Sequence, residues 1–282
     1  MPELPEVETI RRYLAEVLPG EQIYAVPHLD PRMVKGSLMG AQDIARRLVG
    51  ARFLEVERRG KFLLLPMSSG GTLLFHLGMS GRLLLVHPND PLFKHTHVRL
   101  VLEHAELRLV DPRRFGRVAW VNQDNDGLQL GLEPLSSAFC TGTLAKLFEG
   151  RRASIKHVLL DQRCVAGLGN IYADEALFWA RIHPMTAAGS LSRAEITRLV
   201  RAVKRVLRQS LIHRGTSFSD YVDALGHPGD NQQFLSVYGR EGDACIRCRR
   251  GTIARQVVAG RSSHFCPVCQ PQQSESGRWR EE

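Results

Sequence analysis

Apolar residues three and four positions apart mark the start of the chain. Val7, Ile10, Leu14, Val17 and Leu18 share one face of a helix over residues 2–18, which Pro19-Gly20 ends. From about residue 51 to 121 the pattern changes to short apolar runs. Residues 53–56, 62–65, 73–76, 98–101 and 118–120 read as strands. Gly/Ser-rich or Pro/Asp-rich turns separate them, as in an antiparallel sandwich or barrel. Residues 122–150 read as a connecting stretch. Helical spacing returns over 155–160 and, after the turn Ala166-Gly167-Leu168-Gly169-Asn170, over 171–180. The clearest helix covers 193–213, with Ile196, Leu199, Val200, Val203, Leu207 and Leu211 as its apolar stripe. Ser192 and Glu195 have capping-box spacing at its start. Arg198, Arg201, Lys204, Arg205 and Arg208 fill much of its other face, an arrangement more often solvated than bound to a polyanion. Residues 215–235, rich in Gly, Ser, Asp, Asn and Gln, suggest a mobile loop. The polar tail from Gln270 onward is expected to be disordered.

Charge narrows the partner. The 282 residues carry 38 Lys+Arg against 29 Asp+Glu, a net charge of +9, which favours nucleic acid. No apolar run is long enough to span a bilayer, and Met1-Pro2-Glu3-Leu4-Pro5-Glu6 is acidic where a signal peptide is basic and apolar. A cytoplasmic location is therefore expected. In that compartment cysteines suggest metal or catalysis before disulfides. Cys245-x₂-Cys248 and Cys266-x₂-Cys269, separated by residues 249–265, have the spacing of a two-knuckle, four-cysteine site for one structural zinc ion. From Cys245 to Cys269 lie Arg247, Arg249, Arg250, Arg255 and Arg261 and no acid, a basic surface able to meet phosphates. Cys140 and Cys164 lack such spacing and are expected to be small buried residues.

Removal of Met1 would expose the secondary amine of Pro2. An α-amino group has a reference pKa of about 7.7–8.0, so a useful fraction is uncharged at neutral pH and able to attack a sugar C1′. Glu3 and Glu6 stand close enough to act as general acid or base. From these six residues alone the plainer reading is better: Pro and acids in a first turn simply stabilise a helix.

The opening Pro2-Glu3-Leu4-Pro5-Glu6-Val7-Glu8-Thr9 resembles the start of formamidopyrimidine-DNA glycosylases. Further blocks match in the same order: Arg59-Gly60-Lys61-Phe62, His76 to Gly81, Lys94-His95-Thr96-His97, Asp111 to Gly116, Gly167 to Glu175, Val237-Tyr238-Gly239-Arg240 and the four-cysteine finger. The resemblance runs from residue 2 to about 270. It implies an α+β fold: an N-terminal antiparallel β-sandwich flanked by helices, then a C-terminal helix–two-turns–helix domain with a four-cysteine zinc finger. It implies a catalytic domain over 1–130, a linker over 131–150, the helical domain with its lesion loop over 151–235, the finger over 236–270 and a disordered tail over 271–282.

The activity implied is bifunctional. The family excises 8-oxoguanine and formamidopyrimidines from duplex DNA through a Schiff base, then cleaves the strand by β,δ-elimination. The matching residues are Pro2 as nucleophile, Glu3 as general acid/base assisted by Glu6, and Lys61 and Arg261 as aids to elimination that bind phosphate. His76, Asn170 and Tyr238 match phosphate contacts, and His95, Arg113 and Arg151 match DNA-binding positions. Met79, Arg113 and Phe115 match residues that fill the helix once the lesion is flipped out. Read alone, Met79 and Phe115 belong in a core, His76 is a satisfied core histidine and Asn170 a helix cap. The implied protein is a monomeric, cytoplasmic, nucleoid-associated enzyme of bacterial type, with one zinc ion and double-stranded DNA as its partner. Thr96 stands where the family often has Asp, and Ser263-His264 where a Thr-aromatic pair is common. Position 151 is Arg where Lys also occurs, which keeps the charge, and the loop at 216–232 varies in composition. Two rivals differ in class: an oxidised-pyrimidine glycosylase resembling endonuclease VIII, which typically has Gly where this chain has Leu4, and a non-catalytic DNA-binding finger protein, against which Pro2, Glu3 and Lys61 argue.

Overall fold

Strands with leucine on both faces need cover on both faces, and this requirement organises the N-terminal half. The protein is described by a computed structural model covering residues 2–121, 128–218 and 220–272. It forms two compact units, one of residues 1–129 with 209–233 and one of 130–208 with 234–282. The loop after residue 213, which the sequence pattern places with the helical part, thus groups with the first unit.

In the first unit, α1 (Leu4–Val17) and α2 (Ala41–Leu48) accompany two four-stranded antiparallel sheets. One orders β1 (Ala25–Leu29), β6 (Thr96–Val101), β7 (Glu106–Val110) and β5 (Arg82–Val86). The other orders β2 (Glu57–Arg59), β3 (Phe62–Pro66), β4 (Thr72–His76) and β8 (Arg117–Val121). Because side chains alternate along a strand, Leu63, Leu65, Leu73, Phe75, Val118 and Trp120 face Leu83, Val98, Leu100, Leu107 and Leu109 of the other sheet. Val7, Ile10 and Leu14 of α1 and Ile44 and Leu48 of α2 close the same core. The opposite face of the second sheet carries a smaller cluster of Leu64, Leu74 and Ala119 with Phe62, Val121 and Leu128.

The second unit contains α3 (Thr141–Phe148), α4 (Ile155–Leu160), α5 (Asn170–Ala180), most of α6 (Arg193–Ile212) and the hairpin β9 (Ala254–Val258)–β10 (Arg261–Phe265). The capping box of α6 is formed: Glu195 N–H donates to Ser192 Oγ at 3.3 Å, and Ser192 N–H donates to Glu195 Oε2 at 2.8 Å. Its basic face is largely structural. Arg198 donates to Ala180 O, Lys204 donates to Ser136 O, and Arg205 lies 3.8 Å over the Trp179 ring.

Several expectations need correction. Val17 is 37% exposed and lies off the buried stripe of α1. Residues 53–56 form only an isolated bridge, Phe53 to Met67. Strands β1, β5 and β7 and helix α2 carry weaker patterns. Pro27 is tolerated in β1 because that strand is an edge, paired only with β6. Glu106 and Arg108 of β7 are buried charges that pair with each other. In the expected connecting stretch, α3 buries Leu144 and Phe148. Cys140 is exposed at the cap of α3, whereas Cys164 is buried as expected. Gln270 is buried and bonded and so is no part of a tail; residues 273–282 lie outside the described residues. Among the described residues no helix is long and apolar enough to cross a membrane.

Phe75, fully buried between the sheets, tests the sandwich core. Phe75→Ala is expected to cost about 3–5 kcal/mol, read as a lowered urea midpoint at constant m-value. A loss below about 1 kcal/mol would place Phe75 outside a packed core.

Candidate active site and nucleic-acid interface

Helix α1 begins with a capping box built from two glutamates. The Glu3 carboxylate accepts the backbone N–H of Glu6, and Glu3 N–H donates to Glu6 Oε2 at 2.8 Å. The second oxygen of Glu6 accepts the N–H of Thr216 at 2.8 Å. Glu6 therefore ties the start of the chain to the loop that follows α6. Tyr221 supports the same junction by donating to the carbonyls of Arg214 and Glu6. Burial and the nearby Glu6 charge push its hydroxyl far above the usual phenol range. The loop expected to be mobile is internally hydrogen-bonded. Asn231 donates to Thr216 Oγ1, Gly229 N–H to Ser217 Oγ, and Leu225 and His227 N–H to Asp223 Oδ1.

Pro2, Glu3, Glu6 and Lys61 are all buried. Lys61 sits in the two-residue turn between β2 and β3. Arg58 fixes that turn beside α1, donating to Gly60 O at 2.9 Å and to Glu8 Oε2 at 3.0 Å. Burial opposes the Glu8 charge. Hydrogen bonds from Arg11 and Arg58 outweigh it and hold the carboxyl below its usual range.

His76 ends β4 beside Phe62, their rings 4.8 Å apart. Its Nδ1 accepts the N–H of Gly78 at 3.1 Å, so the neutral ring carries its proton on Nε2. Burial, then the charges of Arg117 and Lys61, lower its pKa to about 4. His76 is thus a neutral donor at physiological pH.

One carboxylate sets the two loops that carry Met79, Arg113 and Phe115. Asp111, fully buried, accepts Ser80 O–H at 2.6 Å and Arg113 N–H at 3.2 Å on Oδ1, and Gly116 N–H at 2.7 Å on Oδ2. The loops touch backbone to backbone. A Cβ at Gly78, whose φ is +62°, would lie 2.4 Å from the carbonyl carbon of Phe115. This clamp holds Met79 40% and Phe115 58% exposed, not in the core where their hydrophobicity alone would place them. Arg113 is also exposed and stands 3.8 Å from Asp220. Below them His97 bridges Asp30 Oδ2 and Asp111 O. His95 is exposed in a left-handed conformation, with φ of 66°. Thr96 donates to Phe93 O and shapes the turn before β6. His28, Asp30 and His97 cluster closely enough for a cation, but Asp30 is already held by Arg32 and lies 3.7 Å from Arg114.

The second unit holds the remaining predicted residues. Asn170 is the first residue of α5. Its Nδ2 donates to Ser262 O at 2.8 Å instead of capping the helix. Lys156, fully buried, donates to the same carbonyl and to Asp174 Oδ1. Asp174 Oδ2 in turn accepts the backbone N–H of His264, whose ring meets Tyr238 edge-on at 4.9 Å. Glu175 accepts three consecutive backbone N–H groups, those of Ser236, Val237 and Tyr238. Arg261 is exposed beside the hairpin turn, where Ala259 and Gly260 both have positive φ, as a type I′ turn requires. Arg151 is exposed, with its guanidinium near Leu147 O and Cys164 Sγ.

The four finger sulfurs lie within 4.8 Å of one another, with Cys245–Cys269 and Cys248–Cys266 each at 3.8 Å. A tetrahedron with Zn–S bonds of about 2.3 Å has edges of about 3.8 Å, so the site fits one zinc ion. Gly251 N–H and Cys269 N–H point at Cys248 and Cys266 sulfurs, donors that favour thiolates. Two of the finger arginines are structural. Arg247 donates to the carbonyls of Phe178 and Trp179 and stacks on both rings, and Arg255 donates to Ser262 Oγ. Arg249, Arg250 and Arg261 are exposed.

The sequence reading missed Asp111, Lys156, Asp174 and Glu175. The signal available was charge inside apolar blocks, as in Ile171-Tyr172-Ala173-Asp174-Glu175, where a solvated residue would break the stripe.

Two measurements check this geometry. In a ¹⁵N titration His76 is expected to change near pH 4, with Nε2 protonated in the neutral form. Its folded pKa lies below the unfolded value of 6.5, so the folded state binds fewer protons between the two. Stability attributable to His76 is then present above pH 6.5 and lost as pH falls toward 4; titration near 6.5 would contradict the burial assigned to it. Elemental analysis is expected to give one zinc per chain and much less for Cys248→Ala. Full occupancy in that variant would remove Cys248 from the ligand set.

Comparison with known proteins agrees with this layout. The formamidopyrimidine-DNA glycosylase N-terminal domain model matches residues 1–118, the formamidopyrimidine-DNA glycosylase H2TH domain model 130–221, and the zinc finger found in FPG and IleRS 242–272. A formamidopyrimidine-DNA glycosylase of Pelotomaculum thermopropionicum is 45% identical over 276 residues, covering 96% of this chain and 99% of its own. One from Herpetosiphon aurantiacus is 46% identical over 280 residues, covering 96% of this chain and 100% of its own. Among solved structures, the Lactococcus lactis Fpg complex with abasic-site DNA has a TM-score of 0.89 at 35% identity, covering 96% of this chain and all of that one. The complex of the same protein with DNA containing an oxidised pyrimidine has a TM-score of 0.88 at 35% identity, with the same coverage. The chain belongs to the formamidopyrimidine-DNA glycosylase family.

Proposed function

We propose that this protein is a bifunctional DNA glycosylase and abasic-site lyase that excises oxidised purines, 8-oxoguanine and formamidopyrimidines, from duplex DNA. The observation that carries the reading is the buried group of Pro2, Glu3, Glu6 and Lys61 at the start of α1 and the neighbouring hairpin. After loss of Met1, the Pro2 nitrogen attacks C1′ of the damaged nucleotide. The C1′–N bond to the base breaks and the base leaves with a proton; the Pro2 nitrogen gives up its own proton, the C1′–O4′ bond breaks with a proton delivered to O4′, and the opened sugar is held as an iminium on Pro2. Glu3 moves the protons, which needs a carboxyl removed from water. Glu6 keeps Glu3 and the loop after α6 in register. The iminium makes the C2′ hydrogen acidic, and its removal expels the 3′ phosphate. A second elimination, aided by Lys61 and Arg261, releases the 5′ phosphate.

DNA is gripped through phosphate contacts from His76, Asn170 and Tyr238 and basic contacts from His95, Arg113 and Arg151. Extrusion of a base costs a few kcal/mol of stacking and pairing. Met79 and Phe115 replace lost stacking and Arg113 meets the orphaned base. Their exposure on a clamped pair of loops supports this role. The enzyme works as a monomer in the cytoplasm, on the nucleoid, and its finger carries zinc as a structural ion. A second lesion class has support in the similar protein bound to oxidised-pyrimidine DNA.

Borohydride trapping tests the proposal. A duplex with one 8-oxoguanine opposite cytosine is expected to yield a covalent adduct mapping to Pro2. Pro2→Gly should bind DNA but release base far more slowly, and Glu3→Gln should lose about 10²–10⁴-fold in rate. Normal turnover by Pro2→Gly rejects the nucleophile. An adduct formed with an oxidised pyrimidine alone moves the enzyme to that lesion class.

A further inference from the structure

Phe62, His76 and Arg117 stand directly opposite one another on β3, β4 and β8, and Arg59 of β2 stands opposite Phe62. Opposed residues project from the same side of a sheet. Here that side is the one facing away from the sandwich core, where the smaller apolar cluster lies next along the strands. The Arg117 guanidinium reaches to 4.8 Å over the Phe62 ring, and the His76 ring, which stands between the two in the row, is also 4.8 Å from that of Phe62.

Several other buried or partly buried arginines of this chain have acidic or carbonyl partners. Arg58 meets Glu8, Arg99 and Arg108 meet Glu106, and Arg247 meets two carbonyls. Arg117 is half-buried and, among the described residues, its guanidinium makes no hydrogen bond or ion pair. Burial pulls its pKa below the usual arginine range, and its charge contributes with that of Lys61 to keeping His76 neutral. A guanidinium presents five N–H donors in a fork that matches phosphate oxygens. The site therefore brings the Arg117 guanidinium and the His76 Nε2–H donor together on an aromatic platform.

We propose that Arg117 is a DNA-phosphate ligand of this protein, gripping the backbone beside His76 Nε2–H and Lys61 while the Phe62 ring holds its guanidinium in place. The proposal rests on the DNA-binding reading above and adds to it a residue outside the family-matched set. Arg117 makes its contribution independently of sequence and of damage, because a phosphate carries no base identity.

The test is a salt titration of DNA binding by the full chain. Affinity for an abasic-analogue duplex and for an undamaged duplex is measured by fluorescence anisotropy between about 50 and 200 mM KCl. Arg117→Met keeps an unbranched apolar stem beside Phe62 and removes the guanidinium with its charge. Arg117→Lys keeps the charge on a flexible stem. For Arg117→Met the slope of log K against log salt is expected to fall by about 0.9, and affinity for both duplexes to fall by the same factor. Arg117→Lys should keep the wild-type slope. A wild-type slope and affinity in Arg117→Met would reduce Arg117 to packing and overturn the assignment. An equal loss of slope in Arg117→Lys would also overturn it, because the defect would then not follow charge. If the wild-type chain binds neither duplex, the DNA-binding reading itself fails and the assignment falls with it.

Discussion

A carboxylate removed from water must fill its oxygens with donors, because leaving a buried charge unmet costs several kcal/mol. This protein meets that demand with backbone N–H groups taken from its functional loops. Glu6 takes them from Glu3 and Thr216, Asp111 from Arg113 and Gly116, and Asp174 and Glu175 from His264 and residues 236–238. Each carboxylate thereby fixes a loop that regular secondary structure alone would leave to wander. The segment that begins with Pro2, the exposed Met79/Arg113/Phe115 set and the Tyr238 turn are all placed in this way. The positions of the proposed site are set by acids more than by the hydrophobic core behind them.

The same economy applies to the basic residues. A net charge of +9 suggests a surface made for a polyanion, yet many of the arginines work inside the protein. Arg58 joins α1 to the Lys61 turn, Arg108 holds the carbonyls of Asp90 and Pro91, and Arg205 and Arg247 stack on Trp179. Other arginines stay exposed, among them Arg113, Arg151, Arg249, Arg250 and Arg261, and Arg117 lies on its aromatic platform. Charge totals bound the partner class. Only the partner of each guanidinium says which ones can meet it.

Local regularity explains what is legible in the sequence. Helices α1, α4, α5 and α6 have clear apolar spacing, and the paired cysteines announce the finger. Strands β3, β4, β6 and β8 stand out because leucine and valine dominate them. Strand β1 escapes because an edge tolerates Pro27, and β7 because its buried charges are neutralised by neighbours outside the local pattern, Arg99 of β6 among them. In the proposed site, Pro2, Glu3 and Lys61 can be named from their motifs. The exposure of Met79 and Phe115 cannot be read from composition, since it depends on Asp111 pulling two loops together. Nor can the structural use of Arg247, which depends on a contact with α5.

The finger is attached to its helical neighbours by more than its metal. Arg247 grips the carbonyls ending α5 and shares Trp179 with Arg205, while Gln270 joins Cys266 N–H to Ile182 O. None of these bonds passes through a cysteine sulfur. The metal organises the knuckles, and the arginine–tryptophan stack moors them. Loss of the ion would in this arrangement be a local opening: the thiols would separate, while Arg247 and Gln270 keep the knuckles near enough to re-form the site when the ion returns.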